Sequence, residues 1–174
     1  MKEDAALLSG FKAGDHGSFE ILMLKYRTSA LNFALRFVKD TSAAEDIVQD
    51  SFADLYVYRD RYLEEFSFKT YLYSIIKNKS ISYLRKRNRL SPYDVDIPYA
   101  GSPETDYIEH ERCNQVREKI NQLKDDYRMV LYLKEYEGFS YEEIARIMKK
   151  SLGQVKILIF RARKKLKLLM DGEV

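Results

Sequence analysis

Basic and aromatic side chains alternate along one segment in the first half of the 174-residue chain. Lys69, Tyr71, Tyr73 and Lys77 follow one another at short intervals, and Asn78 comes directly after them. Aromatic rings stack on unpaired bases and cations follow a phosphate backbone, so this combination is typical of a surface that binds single-stranded nucleic acid. The alternative, that the tyrosines fill a hydrophobic core, stays open, because the chain has 14 Tyr and no Trp.

Two further basic clusters could bind phosphate. One runs from Arg85 to Arg89 and includes Arg87, although cations at this point would also favour the negative end of a helix. The other lies between Ser151 and Asp171, where Lys and Arg are frequent and no carboxylate intervenes. Basic side chains donate to phosphate oxygens and to guanine, which favours DNA as the ligand, whereas a solvated basic face is the alternative.

A third set of polar residues is acidic. Asp46, Gln49, Asp50 and Asp54 recur at spacings of three and four, which places them on one face of a helix. Such a face usually keeps a protein soluble. In a chain that also has DNA-binding features, it could instead bind a basic protein partner.

Catalytic and metal chemistry find no support in the sequence. Cys113 is the single cysteine and belongs to no recognisable nucleophile motif, and His16 and His110 lie outside any metal-ligand spacing. We therefore predict a protein that is not an enzyme and has no cofactor or metal. Apolar runs are too short for a membrane span and no signal-peptide pattern opens the chain, so we expect a cytoplasmic protein without membrane insertion.

Helices must position these residues, because apolar side chains recur at spacings of three and four and no strand-like alternation extends over a comparable length. The predicted buried faces are Phe19, Leu22, Met23, Tyr26, Ala30, Phe33 and Phe37 in one helix, Ala44, Ile47, Val48, Ser51, Phe52 and Leu55 in the next, and Phe68, Leu72, Ile75, Ile76 and Tyr83 in a third. The predicted fold class is all-α.

A proline cluster divides the chain. Pro92, Pro98 and Pro103 are the only prolines, and residues that precede proline avoid the helical conformation. We therefore expect two helical domains, at residues 1–90 and 112–174, joined by a proline-containing linker at 91–111.

Polar residues mark the predicted helix starts. Ser67 is predicted to be the N-cap of one helix. Three further pairs have the form of a capping box: Ser42 with Glu45, Ser140 with Glu143, and Ser151 with Gln154. Around the last two pairs the sequence predicts two short helices joined by a tight turn at Lys149-Lys150. Because the second helix is strongly basic, this predicts a DNA-binding helix-turn-helix in the C-terminal domain.

These segments, in this order, resemble the bacterial RNA polymerase sigma factors of the extracytoplasmic-function (ECF) class, in the sigma-70 family. The similarity runs from about Asp4 to Met170 and is strongest at residues 43–52, 66–73 and 136–145. The resemblance implies an alternative sigma factor that binds RNA polymerase core and directs promoter-specific transcription initiation. The domain 1–90 would correspond to sigma region 2 and the domain 112–174 to sigma region 4.

The resemblance also implies roles for individual residues. Asp46, Gln49, Asp50 and Asp54 would bind the clamp helices of the largest polymerase subunit. The melted minus-ten element would contact Lys69, Tyr71, Tyr73, Lys77, Asn78, Arg85 and Arg87, with Asn78 at the position of a flipped-out base. The duplex minus-thirty-five element would contact Ser151, Gln154, Lys156, Ile157, Phe160, Arg161 and Lys164. An anti-sigma factor is a further partner that the family suggests.

The chain departs from the family pattern at several positions. Family members commonly have Thr-Val-Lys-Ser-Arg where this chain has Gln154-Val155-Lys156-Ile157-Leu158, Trp at the position of Tyr71, and Leu-Pro at Leu123-Lys124. The alternative function is a stand-alone helix-turn-helix transcription regulator. That alternative needs no acidic face, and a net charge of only +3 is low for a self-sufficient DNA-binding protein.

Overall fold

The structure, a computed structural model, describes residues 2–62, 65–90, 116 and 118–172. Every regular element in these ranges is helical, which confirms the all-α prediction. The chain divides into two compact units, Met1–Tyr99 and Ala100–Val174. The predicted linker at 91–111 lies outside the described residues. Within the described ranges, no helix is both long and apolar enough to cross a membrane.

Four helices and one short 3-10 turn form the N-terminal unit. They are α1 (Lys2–Ala13), α2 (His16–Val38), α3 (Thr41–Val57), the turn Arg59–Arg61 and α4 (Phe68–Leu90). α2 packs against α1, α3 and α4, and α3 also packs against α4. Their shared core includes the fully buried side chains of Phe11, Phe33, Leu72, Tyr73 and Ile76.

The predicted apolar stripes mostly form this core. Every residue of the predicted α3 face is buried, as are Leu22, Ala30, Phe33 and Phe37 of α2 and Phe68, Leu72 and Ile76 of α4. The remaining members of the predicted faces, Phe19, Met23, Tyr26, Ile75 and Tyr83, are half-buried. The helical period therefore identified the inward side of each helix. The predicted residues at the edges of that side are partly exposed.

The start of α3 differs from the prediction. Asp40, and not Ser42, is the N-cap: its carboxylate accepts a hydrogen bond from the Ala43 amide at 3.1 Å, and its backbone is extended. Lys39 ends α2 in the left-handed conformation, with φ 53°. Because this residue turns the chain sharply, the next residue, Asp40, takes the N-cap position of α3. The N-cap predicted at Ser67 is confirmed, because its hydroxyl accepts from the Thr70 amide at 3.2 Å.

The C-terminal unit contains a helical segment at residues 118–121, followed by α5 (Asp125–Leu131), which continues into a π-helical turn (Tyr132–Tyr136). α6 (Tyr141–Met148) and α7 (Leu152–Asp171) follow. α7 packs against both α5 and α6. Val130, Leu133, Ile144, Ile147 and Ile159 lie at the centre of this small core.

Both capping boxes predicted for α6 and α7 are confirmed. Glu143 N–H donates to Ser140 Oγ at 3.1 Å, and Ser140 N–H donates to Glu143 Oε2 at 2.9 Å. At α7, Gln154 N–H donates to Ser151 Oγ at 3.2 Å and Ser151 N–H donates to Gln154 Oε1 at 2.8 Å. Lys149 adopts the left-handed conformation between the two helices, so α6 ends and α7 begins within a very short turn.

Candidate nucleic-acid and protein-binding surfaces

The outer side of α3 carries the predicted acidic face, which we define as Asp46, Gln49, Asp50 and Asp54. The first three residues are exposed and Asp54 is half-buried, while the opposite side of α3 is packed in the core. The face therefore lies at the surface on a helix that the core holds in place. Val57, one turn beyond Asp54, is 61% exposed and extends the face with an apolar side chain that the sequence analysis did not single out.

A lysine of the neighbouring helix contacts this face. Lys79 of α4 places its ammonium 2.9 Å from Asp54 Oδ2 and 3.5 Å from Asp50 Oδ2. Burial acts to lower the pKa of Lys79, but the hydrogen bond to Asp54 and the charges of both carboxylates outweigh it, so the pKa is raised. From the sequence, Lys79 counts among the basic residues that alternate with aromatic ones on this helix, and its contact with the acidic face was not predicted, because the partners lie on another helix.

The residues predicted to bind single-stranded nucleic acid all lie on α4, but not on one accessible surface. Arg85 is exposed, and Lys69, Tyr71, Asn78 and Arg87 are half-buried.

Tyr73 and Lys77, in contrast, are buried, with exposed fractions of 0% and 7%. The Tyr73 ring centroid lies 4.7 Å from that of Phe33 on α2, since Tyr73 shares the inward side of α4 with Leu72 and Ile76. The alternative that this tyrosine belongs to the core is therefore correct, and in this conformation its ring has no free face for a base.

Tyr71 lies at the edge of the same helix and is anchored to the preceding segment. Its hydroxyl donates to the Arg61 carbonyl at 3.0 Å, and its ring meets the Tyr62 ring edge-on with centroids 5.1 Å apart. Tyr62 in turn donates to the Phe66 carbonyl at 2.8 Å. These contacts hold the Tyr71 ring in one orientation while leaving it partly exposed.

A hydrogen bond joins α4 to the start of α3. Tyr83 Oη donates to Asp40 Oδ2 at 3.0 Å. The pKa of Asp40 is lowered, chiefly by the Ala43 amide and then by this hydroxyl, while burial opposes the shift. The pKa of Tyr83 is raised, first by burial and then by its interaction with Asp40. The residue that caps α3 thus also fixes the position of α4 beside it.

All residues predicted to contact duplex DNA are exposed on α7 or at its N-cap. They are Ser151, Gln154, Lys156, Ile157, Phe160, Arg161 and Lys164. Ile157 is 53% and Phe160 68% exposed, whereas Val155 and Ile159 are buried on the opposite side of α7. Ser151 and Gln154 also bind the backbone in the capping box, so each has a structural role besides any contact with DNA.

A salt bridge outside this surface fixes α7. The Arg163 guanidinium donates to Glu135 Oε1 through Nε at 3.0 Å and through a terminal nitrogen at 2.5 Å. The hydrogen bond to Glu135, against a smaller effect of burial, raises the pKa of Arg163. Arg163 therefore ties the π-helical turn to α7, although it belongs to the same basic run as Arg161.

Two family profiles match the chain. The profile described as Sigma-70 region 2 matches residues 22–90, and the one described as Sigma-70, region 4 matches residues 113–166. RNA polymerase sigma-H factor of Pseudomonas aeruginosa is 34% identical over 177 residues, covering 94% of this chain and 91% of that protein. ECF RNA polymerase sigma-E factor of Escherichia coli K12 is 32% identical over 173 residues, covering 92% of this chain and 90% of that protein. The chain belongs to the ECF class of sigma-70 RNA polymerase sigma factors.

Solved structures agree with this sigma-factor assignment. The sigma factor RpoE of Bartonella quintana, determined with the anti-sigma factor NepR, has a TM-score of 0.70 at 27% identity, over 90% of this chain and 98% of that chain. CnrH, determined with the cytosolic domain of CnrY, has a TM-score of 0.73 over 98% of this chain and 99% of that chain, and at 22% identity it shows the common fold alone.

The two profile matches together cover the three candidate surfaces of this sigma factor. The region 2 match includes all of α3 and α4, and hence the acidic face, while the region 4 match includes α5, α6 and α7 as far as residue 166. At one departure from the family pattern the backbone would accept the common residue: Lys124, which stands where a proline is common, has φ −58°, within the range of proline. Leu123 beside it is buried.

Proposed function

We propose that this sigma factor binds RNA polymerase core through the acidic face of α3, holds the melted minus-ten strand on α4, and positions the minus-thirty-five duplex on α7. The observation that carries the proposal is the separation of charge: carboxylates point outward from α3, whereas basic, aromatic and apolar side chains point outward from α4 and α7. Each surface suits one ligand, since carboxylates attract a basic protein surface and cations attract phosphate. The polymerase supplies the chemistry of RNA synthesis, and the sigma factor supplies binding and position.

The minus-ten surface in this proposal consists of Lys69, Tyr71, Asn78, Arg85 and Arg87. The partly exposed Tyr71 ring offers a stacking face, and the Asn78 carboxamide can donate to and accept from the edge of a base that has left the helix. Arg85 and Arg87 follow the strand as cations near the end of α4. Tyr73 and Lys77 support this surface from the core and do not belong to it.

The minus-thirty-five surface uses the first half of α7. Its N-terminus presents backbone amides to a phosphate, while Lys156 and Arg161 reach phosphate oxygens or guanine acceptors. Ile157 and Phe160 lie on the same exposed side, and their apolar surface is suited to thymine methyl groups. Because Ile157 replaces the polar residue common in the family, we expect a preference for thymine at the base pair that it faces.

We further propose that the functional domains are residues 1–90 and 112–174, that the protein acts in the cytoplasm, and that it performs no catalysis of its own. The sigma factor of Bartonella quintana was solved with an anti-sigma factor, and we expect this chain to bind a partner of that kind.

The proposal is tested by measuring core binding and promoter-directed transcription with purified core polymerase. Asp46→Lys should weaken core binding about tenfold, because it reverses the charge of an exposed carboxylate on the acidic face. Glu20→Lys, which makes the same charge change at an exposed site on α2, should leave core binding unchanged. On a preformed complex with core, Arg161→Ala should reduce binding to the minus-thirty-five duplex, whereas Lys167→Ala should reduce it little. Equal core binding by the Asp46→Lys variant and the wild-type chain would contradict the proposed docking face.

A further inference from the structure

We propose that Lys79 is an intramolecular competitor for the polymerase-docking carboxylates, so that it limits the affinity of this sigma factor for core. The inference rests on the proposed function, because it requires the acidic face to be the docking surface. It starts from one contact: Lys79, on α4, approaches Asp54 to 2.9 Å and Asp50 to 3.5 Å.

The two carboxylates are more exposed to solvent than the lysine that contacts them. The side chains of Asp50 and Asp54 are 71% and 43% exposed, whereas that of Lys79 is 27% exposed. Asp50 and Asp54 are separated by one helical turn, so a single ammonium between them contacts both. A basic partner that approaches α3 therefore meets two accessible carboxylates whose combined charge is already half neutralised.

The competing charge persists under physiological conditions. The two carboxylates raise the pKa of Lys79 despite its burial, so the ammonium stays protonated near neutral pH. Ion pairs with this degree of exposure contribute little to folding. The partner consequently gains less from each of Asp50 and Asp54 than it gains from Asp46, which is exposed and takes no part in the contact with Lys79.

Displacement of Lys79 is sterically simple. Its ammonium sits on a flexible four-carbon stem, so a cation of the partner can replace it without movement of the helix backbone. Lys79 also directly follows Asn78 on the helix that we propose binds the minus-ten strand. The side chain that core polymerase would displace from α3 thus belongs to the DNA-binding helix.

The test compares the affinity of full-length variants for purified core polymerase in the absence of DNA. Lys79→Met keeps much of the aliphatic stem and removes the charge. We expect it to tighten core binding about threefold, because a threefold change in affinity corresponds to the free energy of one partly exposed ion pair. Lys86→Met, which makes the same charge change at an exposed site on α4, should leave the affinity unchanged. In the Asp50→Asn/Asp54→Asn background the gain from Lys79→Met should disappear. Core binding by Lys79→Met that is equal to or weaker than wild type overturns the inference.

Two measurements keep this result separate from misfolding and from the proposed function. If Lys79→Met lowers the thermal midpoint, the polar variant Lys79→Gln is measured in its place, with the same threefold expectation. Asp46→Lys is measured in parallel. Loss of core binding in Asp46→Lys without a gain in the Lys79 variants refutes only the competitor role, whereas no effect of Asp46→Lys refutes the docking face itself.

Discussion

Asp40 caps α3 and also accepts the Tyr83 hydroxyl, so its replacement tests how the helix with the acidic face is held in place. We expect Asp40→Ala to destabilise the N-terminal unit, because the Ala43 amide and the Tyr83 hydroxyl both lose their acceptor. Loss of a helix N-cap costs about 1 kcal/mol, and loss of one further hydrogen bond costs about 0.5–1.5 kcal/mol. The expected loss of unfolding free energy is therefore about 2 kcal/mol at neutral pH.

Two substitutions separate these contributions. Ser42→Ala is the matched control, since Ser42 is exposed in the first turn of α3 and substitutions at such sites change stability by less than about 0.5 kcal/mol. Tyr83→Phe removes the hydroxyl alone. In a double-mutant cycle, Asp40→Ala and Tyr83→Phe should show a coupling free energy of about 1 kcal/mol, because each variant removes the same hydrogen bond.

The effect of Asp40 should also depend on pH. Its pKa is lowered in the folded chain, so the unfolded state binds protons more readily and the carboxylate stabilises the fold above its unfolded pKa. That stabilisation is present near neutral pH and is lost as pH falls below about 4 and through the lowered folded pKa. The difference in stability between wild type and Asp40→Ala should shrink over this acidic range, while Asp40→Asn, which cannot titrate, should lack that pH dependence.

Urea unfolding followed by far-UV circular dichroism would measure the free energies. Hydrogen exchange of the peptides from α3 and α4 would locate the effect, which is necessary because the chain has two units. The Ala43 amide should exchange faster in Asp40→Ala and not in Ser42→Ala. Equal losses of stability in Ser42→Ala and Asp40→Ala would show that Asp40 does not cap α3. Additive effects of Asp40→Ala and Tyr83→Phe would show that their hydrogen bond does not stabilise the unit.

Substitutions at two core or surface tyrosines of α4 and at the start of α5 test the packing of each unit. Tyr73→Ala should destabilise the N-terminal unit by about 3–5 kcal/mol, because it leaves a cavity in the core. Tyr71→Ala should cost only about 0.5–1.5 kcal/mol of stability, the contribution of its hydrogen bond to the Arg61 carbonyl, and should weaken binding of the minus-ten strand by about 1–3 kcal/mol. Weakened strand binding without loss of stability in Tyr73→Ala would contradict these roles. Lys124→Pro should raise the stability of the C-terminal unit in urea unfolding by about 0.4–1 kcal/mol relative to Lys124→Ala. The backbone suits proline, because φ of Lys124 is −58° and its N–H donates no hydrogen bond within the described residues. A loss of stability would show that the preceding residue does not tolerate the proline.

The sequence predicted the features that depend on local pattern. The α3 core stripe follows from helical period alone, and the Ser140 and Ser151 capping boxes follow from pairs three residues apart. The cap of α3 was predicted wrongly, because Asp40 and Ser42 both suit an N-cap, and the choice depends on where Lys39 ends α2.

Features that depend on a second helix could not be predicted in this way. Whether Tyr73 stacks on a base or fills the core is decided by Phe33 of α2, and the position of Lys79 is decided by carboxylates on α3. In both cases the residue type was compatible with two roles, and only the packing of α4 against its neighbours selects one. The predicted roles of the surface residues in polymerase and promoter binding stay predictions.

In the function that we propose, the attachments of α4 explain why strand binding and polymerase docking share one small unit. α4 is tied near its start by Tyr71 to the Arg61 carbonyl and toward its end by Tyr83 to the α3 cap, and neither contact uses a carboxylate of the acidic face. A single strand is flexible and loses entropy when it binds, so any freedom left in the protein surface adds to that cost. By fixing α4 to α3 at folding, the unit avoids this second cost when DNA arrives. It also presents the strand at a constant distance from the docked polymerase, which a helix held by its apolar side alone would do less well.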